Sequence, residues 1–159
     1  MNDLPTISIR DQGALDFVRT LLREGINVRI KVSGESMMPL IQSGDLVEIS
    51  SLKGKNPRLG DIVLFCTPQK SPLIHRLLRR RCYSNVLYLQ TKGDACRSFD
   101  CFIPVDHLVG RVQNIITRRK KIDLRSPFMR LQSFRIVACA LLSYYLRKAT
   151  SSIIEQFPR

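Results

Sequence analysis

The sequence predicts a mostly β, antiparallel domain with an N-terminal helix and a C-terminal basic amphipathic helix. Several short runs rich in Val, Ile, Leu and Tyr are separated by Gly, Pro, Asn and Ser, which is typical of strands joined by turns. Helical spacing of apolar residues is confined to two segments, one near each end of the chain. With 159 residues, of which 44% are hydrophobic, the chain is long enough to bury a core.

The first helix is predicted at residues 12–24, where apolar residues recur every three or four positions and Gly25 supplies a stop. Residues 27–33 then alternate apolar and basic side chains, as a half-buried strand does. Further strands are predicted at 45–49, 61–65, 73–78, 86–90 and 108–116. Asp45 and Asp61 each follow a glycine at a strand start, so we interpret both as turn residues.

The C-terminal part is predicted to be a separate helical appendage. A basic run at 117–121 ends the β domain, and Ser126 followed by Pro127 is a helix-start signal. An apolar segment of about twenty residues follows, to Arg147. These boundaries divide the chain into an N-terminal helical segment, a β domain, and a basic linker with a helix, at 1–27, 28–117 and 118–159.

Positive charge is concentrated in this C-terminal part. Residues 111–159 hold 11 Lys and Arg against 2 Asp and Glu, and so carry +9 of the total net charge of +13. Such a segment suits an anionic membrane surface, a nucleic acid or an acidic partner. The aromatic residues are not interleaved with the basic run, which argues against nucleic acid.

The cysteines predict reduced thiols in the cytoplasm. They are odd in number and form no CxxC motif, and with only two histidines in the chain they fit no common zinc site. A disulfide between Cys96 and Cys101 is the alternative. The first residues show neither a basic start nor an apolar run, so no signal peptide is expected. Nor does any stretch reach the roughly 18–20 uninterrupted apolar residues that span a bilayer.

Four residues are candidates for catalysis. Ser36 lies between a glycine turn and a proline after an alternating strand, where its hydroxyl and backbone N–H are both accessible to a substrate. His75 lies within an apolar strand, which favours a neutral imidazole that accepts a proton. Asp94 follows a glycine, and Asp100 lies between Phe99 and Cys101, where a carboxylate needs a partner. Together they fit a Ser–His–Asp arrangement, in which chain order is free.

The segments that carry these residues resemble the signal peptidase I superfamily over roughly residues 28–112. The shared segments are a Ser-Met-x-Pro box beginning at Ser36, a Gly-Asp strand start at 44–45, a Gly-Asp-Ile-Val strand at 60–63 and Thr-Lys-Gly-Asp at 91–94. Bacterial signal peptidases and the related self-cleaving repressors use a lysine base where this chain has His75. The chain therefore resembles the archaeal and endoplasmic-reticulum branch, in which histidine replaces lysine.

The resemblance implies a serine endopeptidase of the signal-peptidase type. Ser36 would be the nucleophile, His75 the general base and Asp100 the orienting acid, with Asp94 as the alternative orienting acid or a support. The substrate would be a leader-like peptide or a protein segment bound as an extended strand. No cofactor or metal is implied. Glu35, directly before the nucleophile, would oppose an oxyanion if it pointed inward, so we expect its side chain to face away.

Two other functions compete with this prediction. A self-cleaving repressor would need an Ala-Gly or Cys-Gly cleavage site, and the chain contains neither dipeptide. A binding module that acts through the basic tail, without catalysis, is the second alternative. The C-terminal segment itself is expected either to pack on the β domain as a core helix or to lie on a membrane surface, which would make the protein cytoplasmic and peripheral to the membrane.

Overall fold

A computed structural model describes residues 4–9 and 12–155. The outermost ends of the two terminal segments predicted from the sequence, 1–3 and 156–159, lie outside the described residues. The chain forms two α-helices, α1 and α2, and nine strands numbered in chain order. The helices are Gln12–Arg23 and Pro127–Glu155. The strands β1 to β9 are Thr6–Ile7, Val28–Lys31, Leu46–Ser50, Ile62–Cys66, Pro72–Tyr83, Val86–Lys92, Ile103–Pro104, Leu108–Ile116 and Lys121–Asp123.

All nine strands belong to one sheet in the order β1-β2-β3-β8-β4-β5-β6-β7, and β9 pairs with β8. The pairing is antiparallel throughout the described strands except between β1 and β2, which are parallel. The predicted fold class, mostly β with a helix at each end, is thus confirmed. The sheet extends past both predicted limits of the β domain, since β1 precedes residue 28 and β9 follows residue 117.

Alternation along the central strands builds a core on each face of the sheet. One face packs against α1, whose buried residues Leu15, Val18 and Leu22 follow the predicted spacing of three or four positions. The other face holds a smaller cluster that includes Val63, Phe65, Leu77, Leu89 and Ile103. Neighbouring residues of a strand such as β5 therefore serve different layers.

Strand β5 is longer than predicted. The apolar pattern predicts its end at residue 78, whereas the strand continues to Tyr83 and turns into β6 through Ser84 and Asn85. Both turn residues have positive φ angles, 47° and 60°, as a tight hairpin turn requires. The extension carries exposed arginines, so it lacks the alternation of buried and exposed residues that predicts a strand. Hydrogen bonds across the hairpin, rather than burial, hold this part of β5 in place.

The predicted turn aspartates are confirmed. Asp45 Oδ2 accepts a hydrogen bond from the backbone N–H of Gln42 at 2.9 Å. Asp61 Oδ2 accepts one from the backbone N–H of Arg58 at 2.8 Å. Each bond closes a turn that leads into a strand, β3 or β4.

Helix α2 begins at Pro127 as predicted and runs eight residues beyond the predicted end. One side of it packs on the β domain, where Met129 and Val137 are buried, while the opposite side is exposed. Within the described residues, neither helix combines the length and the apolar character needed to cross a bilayer.

Candidate active site

The Ser36 backbone is held between two parts of the fold. It follows β2 through Gly34, whose φ of 106° is a conformation that favours glycine. The next side chain, Met37, is 3% exposed and packs in the larger core. On the other side, the Ala95 N–H donates to the Ser36 carbonyl at 2.9 Å. Ser36 is thus presented by a fixed turn.

Ser36 and His75 are in hydrogen-bond contact although they are far apart in sequence. His75 faces the site from β5, opposite Val63 of β4, and is 5% exposed. The Ser36 Oγ lies 3.0 Å from His75 Nε2. This geometry suits transfer of the hydroxyl proton to the ring.

Asp100 completes a chain of three side chains. Its Oδ2 lies 2.7 Å from His75 Nδ1, the nitrogen on the far side of the ring from Ser36. A carboxylate in this position accepts the Nδ1–H and leaves Nε2 free to accept a proton. The partner that the sequence required for Asp100 is therefore His75.

Residues of β6 hold Asp100 in turn. The Thr91 hydroxyl donates to the same Oδ2 at 2.6 Å, and the Asp100 N–H donates to the Thr91 carbonyl at 2.9 Å. The Gln90 side-chain amide donates to the Asp100 carbonyl at 3.1 Å. Neither Thr91 nor Gln90 is singled out by the sequence as a site residue. The signal available for Thr91 is its place in the Thr-Lys-Gly-Asp box.

Gly93 allows the close approach of the two halves of the site. A Cβ atom at this position would lie 2.6 Å from the Ser36 carbonyl oxygen and 3.1 Å from His75 Nε2. The first distance is shorter than any real carbon contact, and the obstructing atom belongs to the backbone. The box residue is therefore glycine because the Ser36 turn lies directly against it.

Asp94, the alternative orienting acid, has a different partner. Its two carboxylate oxygens accept from Nε and one terminal nitrogen of Arg76, at 2.8 and 2.6 Å. Arg76 is fully buried, and its other terminal nitrogen donates to the Gly60 carbonyl at 3.0 Å and the Ser133 hydroxyl at 2.8 Å. Because Arg76 follows His75 on β5, its side chain leaves the opposite face of the strand. Asp94 therefore joins β6, β5 and α2 and lies outside the Ser36–His75–Asp100 chain.

The surroundings of Ser36 are open to a substrate carbonyl. Glu35 is exposed, and within the described residues its carboxylate forms no hydrogen bond or ion pair. The Ser36 N–H likewise donates to no acceptor in this part of the chain. An exposed carboxylate is screened by water, so Glu35 leaves this N–H free to stabilise an oxyanion.

A small apolar cavity adjoins Ser36. It has a volume of about 90 Å³ and lies between the end of β2 and the start of β5. Its walls include Ile30, Met37, Leu64 and Ile74. Such a cavity fits a small apolar side chain next to the serine.

No cluster of three or more His, Cys, Asp or Glu residues suited to a metal ion occurs among the described residues. All five cysteines are free, as reduced thiols are predicted to be, and the alternative Cys96–Cys101 disulfide is not formed.

Comparison with known proteins identifies the family. A family model described as Peptidase S24-like matches residues 5–101, which include Ser36, His75, Asp94 and Asp100 and exclude β7, β8, β9 and α2. That family includes both signal-peptidase-like members and self-cleaving repressors. No curated protein matches the sequence. Since the matched segment spans more than half of the chain and its fold is the one expected, the protein belongs to the Peptidase S24-like family.

Proposed function

We propose that this protein is a serine endopeptidase that cleaves an extended, leader-like peptide through Ser36, His75 and Asp100. The observation that carries the proposal is the unbroken hydrogen-bonded chain from the Ser36 hydroxyl through both ring nitrogens of His75 to Asp100. Histidine in this role is the feature of the archaeal and endoplasmic-reticulum branch of signal peptidases, to which we assign the chain.

The first half of the reaction forms an acyl-enzyme. His75 Nε2 takes the hydroxyl proton while Ser36 Oγ attacks the scissile carbonyl carbon. The Ser36 N–H donates to the oxyanion of the tetrahedral intermediate, and Asp100 stabilises the charged imidazole. The protonated ring then gives its proton to the leaving amine as the peptide bond breaks.

The second half returns the enzyme to its starting state. Water gives a proton to His75 Nε2 and attacks the ester carbonyl, and a second oxyanion forms at the same place. When this intermediate collapses, the proton returns to Ser36 Oγ and the new carboxyl end of the peptide leaves. The small apolar cavity beside Ser36 supports a small side chain next to the scissile bond, and its position between β2 and β5 suits an extended backbone.

Action on a separate substrate fits the sequence better than self-cleavage does. The chain has no Ala-Gly or Cys-Gly dipeptide of the kind that self-cleaving repressors cut. The intact mass of the purified protein should therefore stay constant during incubation.

A pool of unstructured peptides analysed by mass spectrometry tests the proposal. The wild-type protein should generate new peptide ends that share small residues before the cut. Ser36→Ala should lower the rate at least about a thousandfold, while Ser43→Ala, at an exposed serine outside the cavity, should keep it. Adding His75→Ala to Ser36→Ala should cause little further loss, because the two groups act as one unit. Cleavage that persists in Ser36→Ala would overturn the proposal.

A further inference from the structure

Helix α2 is apolar on two sides, and the β domain covers only one of them. Met129 and Val137 face inward and are 7% and 4% exposed. The outward side carries an outer stripe, which we define as Leu131, Phe134, Leu142 and Tyr145, with exposures between 57% and 67%. A helix with apolar residues on both sides is normally buried on both. A contiguous exposed apolar surface of this kind indicates an interaction site.

A basic cavity lies beside the N-terminal end of this stripe. It has a volume of about 400 Å³ and lies between the loop before β4 and the first turns of α2. Lys55, Arg58 and Arg130 line it, and within the described residues their side chains form no hydrogen bond or ion pair. Phe134 belongs both to the cavity wall and to the outer stripe. Three unpaired cations and an apolar surface therefore meet at one place.

The surrounding charge indicates the chemistry of the partner. Between Pro127 and Lys148, helix α2 contains basic residues and no acidic residue. The loop between β8 and β9 exposes Arg118, Arg119 and Lys120 as well. A second copy of the same helix would set like charges against each other. A nucleic acid would match the charge but would leave the outer stripe in water.

We propose that the outer stripe and the basic cavity bind the protein to an anionic lipid surface, with α2 lying in the plane of the interface. The stripe enters the boundary between headgroups and acyl chains, while the cations of the cavity and the exposed Arg135 pair with lipid phosphates. This arrangement requires no membrane span. It is also independent of the proposed peptidase chemistry.

Co-sedimentation with vesicles tests the proposal on the full chain. Vesicles of phosphatidylcholine and phosphatidylglycerol should bind the protein, and vesicles of phosphatidylcholine alone should bind it far more weakly. Replacing three stripe residues with glutamine (L131Q/F134Q/L142Q) should lower the affinity at least about a hundredfold. Removing two cavity charges (R58Q/R130Q) should lower it roughly 25-fold, about fivefold for each charge.

Matched control variants replace the same kinds of side chain, apolar and cationic, elsewhere on the surface. Phe17 and Tyr83 are exposed apolar residues outside α2, and Arg23 and Lys70 are exposed cations away from the cavity. F17Q/Y83Q and R23Q/K70Q should bind vesicles more tightly than the two site variants. Because all changed side chains are exposed, circular dichroism should show every variant folded. Ser36→Ala should bind vesicles like the wild type, which separates this proposal from the peptidase activity.

Three results would overturn the proposal. The first is no binding to anionic vesicles. The second is a dimer in analytical ultracentrifugation that L131Q/F134Q/L142Q dissociates, since the stripe would then be covered by a second copy. The third is binding to an oligonucleotide that R58Q/R130Q weakens, together with vesicle binding that the stripe variant leaves unchanged.

Discussion

At the scale of single residues, three contacts decide what the site can do. The Ser36 hydroxyl meets one nitrogen of His75, and Asp100 meets the other. Asp100 also accepts from the buried Thr91, which holds the carboxylate in line with the ring. In the proposed mechanism this carboxylate sets the ring tautomer, so its charge matters more than its shape.

Asp100→Asn should therefore lower kcat on the order of 10³–10⁴-fold while the protein stays folded, because an amide can hold the wrong tautomer of the ring. Asp106→Asn is a matched control at an exposed aspartate and should leave the rate unchanged. Steady-state cleavage of the best peptide from the pool, with circular dichroism of each variant, measures this. The contrary result would be that Asp100→Asn keeps its activity while Asp94→Asn is folded but inactive. That result would assign the orienting role to Asp94 instead.

At the scale of elements, β5 serves the site and the helix from its two faces. His75 faces Ser36, and Arg76 leaves the other face to reach α2 through Ser133. Helix α2 comes so close here that a Cβ atom on Gly60 would lie 3.1 Å from Ser133 Cβ. Farther along the same strand, the Arg79 guanidinium lies 4.4 Å from the centre of the Tyr144 ring. Two arginines of one strand thus anchor the helix at two points.

Ser133→Ala should lower the free energy of unfolding by about 1–3 kcal/mol, because a buried guanidinium loses a hydrogen-bond acceptor. The matched control is Ser143→Ala on the same helix, whose exposed hydroxyl donates within the helix to the Cys139 carbonyl. That change should cost no more than about 0.5 kcal/mol. Urea denaturation measures both. Equal losses in the two variants would contradict the anchoring role of Ser133.

At the scale of the whole molecule, one buried carboxylate joins its own strand to three others of the sheet. Glu48 of β3 accepts from Arg29 of β2, Asn114 of β8 and Lys121 of β9. Burial raises the pKa of Glu48, but the hydrogen bonds from Lys121, Asn114 and Arg29 and the charge of Lys121 outweigh it and hold the pKa below the usual 4.5. A lowered pKa in the folded state contributes stability above pH 4.5, and this contribution is lost as the pH falls through the folded-state pKa.

Glu48→Gln should thus destabilise the protein at neutral pH, by roughly 1.5–3 kcal/mol, because its partners lose a charged acceptor. The difference from the wild type should shrink once the pH falls below 4.5. Urea denaturation at a series of pH values measures this difference. Glu24→Gln, at an exposed glutamate, should stay within about 0.5 kcal/mol of the wild type throughout. A difference for Glu48→Gln that does not change with pH would refute the ionic origin of the effect.

The local pattern of apolar and polar residues predicts most of the helices and strands of this molecule. Helix α1 and the central strands lie where apolar spacing places them, since burial of one face repeats with the period of the element. The segments around Ser36, His75 and Asp100 are equally visible, because a turn serine, a histidine in an apolar strand and a carboxylate among apolar neighbours each stand out locally. The exposed end of β5 and the two-residue strand β1 give no such signal. Their pairing with neighbouring strands makes them strands.

The sequence by itself determined the fold class, the places of helix α1 and the central strands, and the residue types available for the proposed acyl-transfer site. Only the tertiary structure decided that Asp100 reaches His75 while Asp94 is taken by Arg76, and that α2 buries one apolar side and exposes the other. The physical reason is that periodicity records whether a side chain faces the interior. It does not record which side chain from a distant part of the chain lies there, because that depends on how the strands pair and how the helix packs on them.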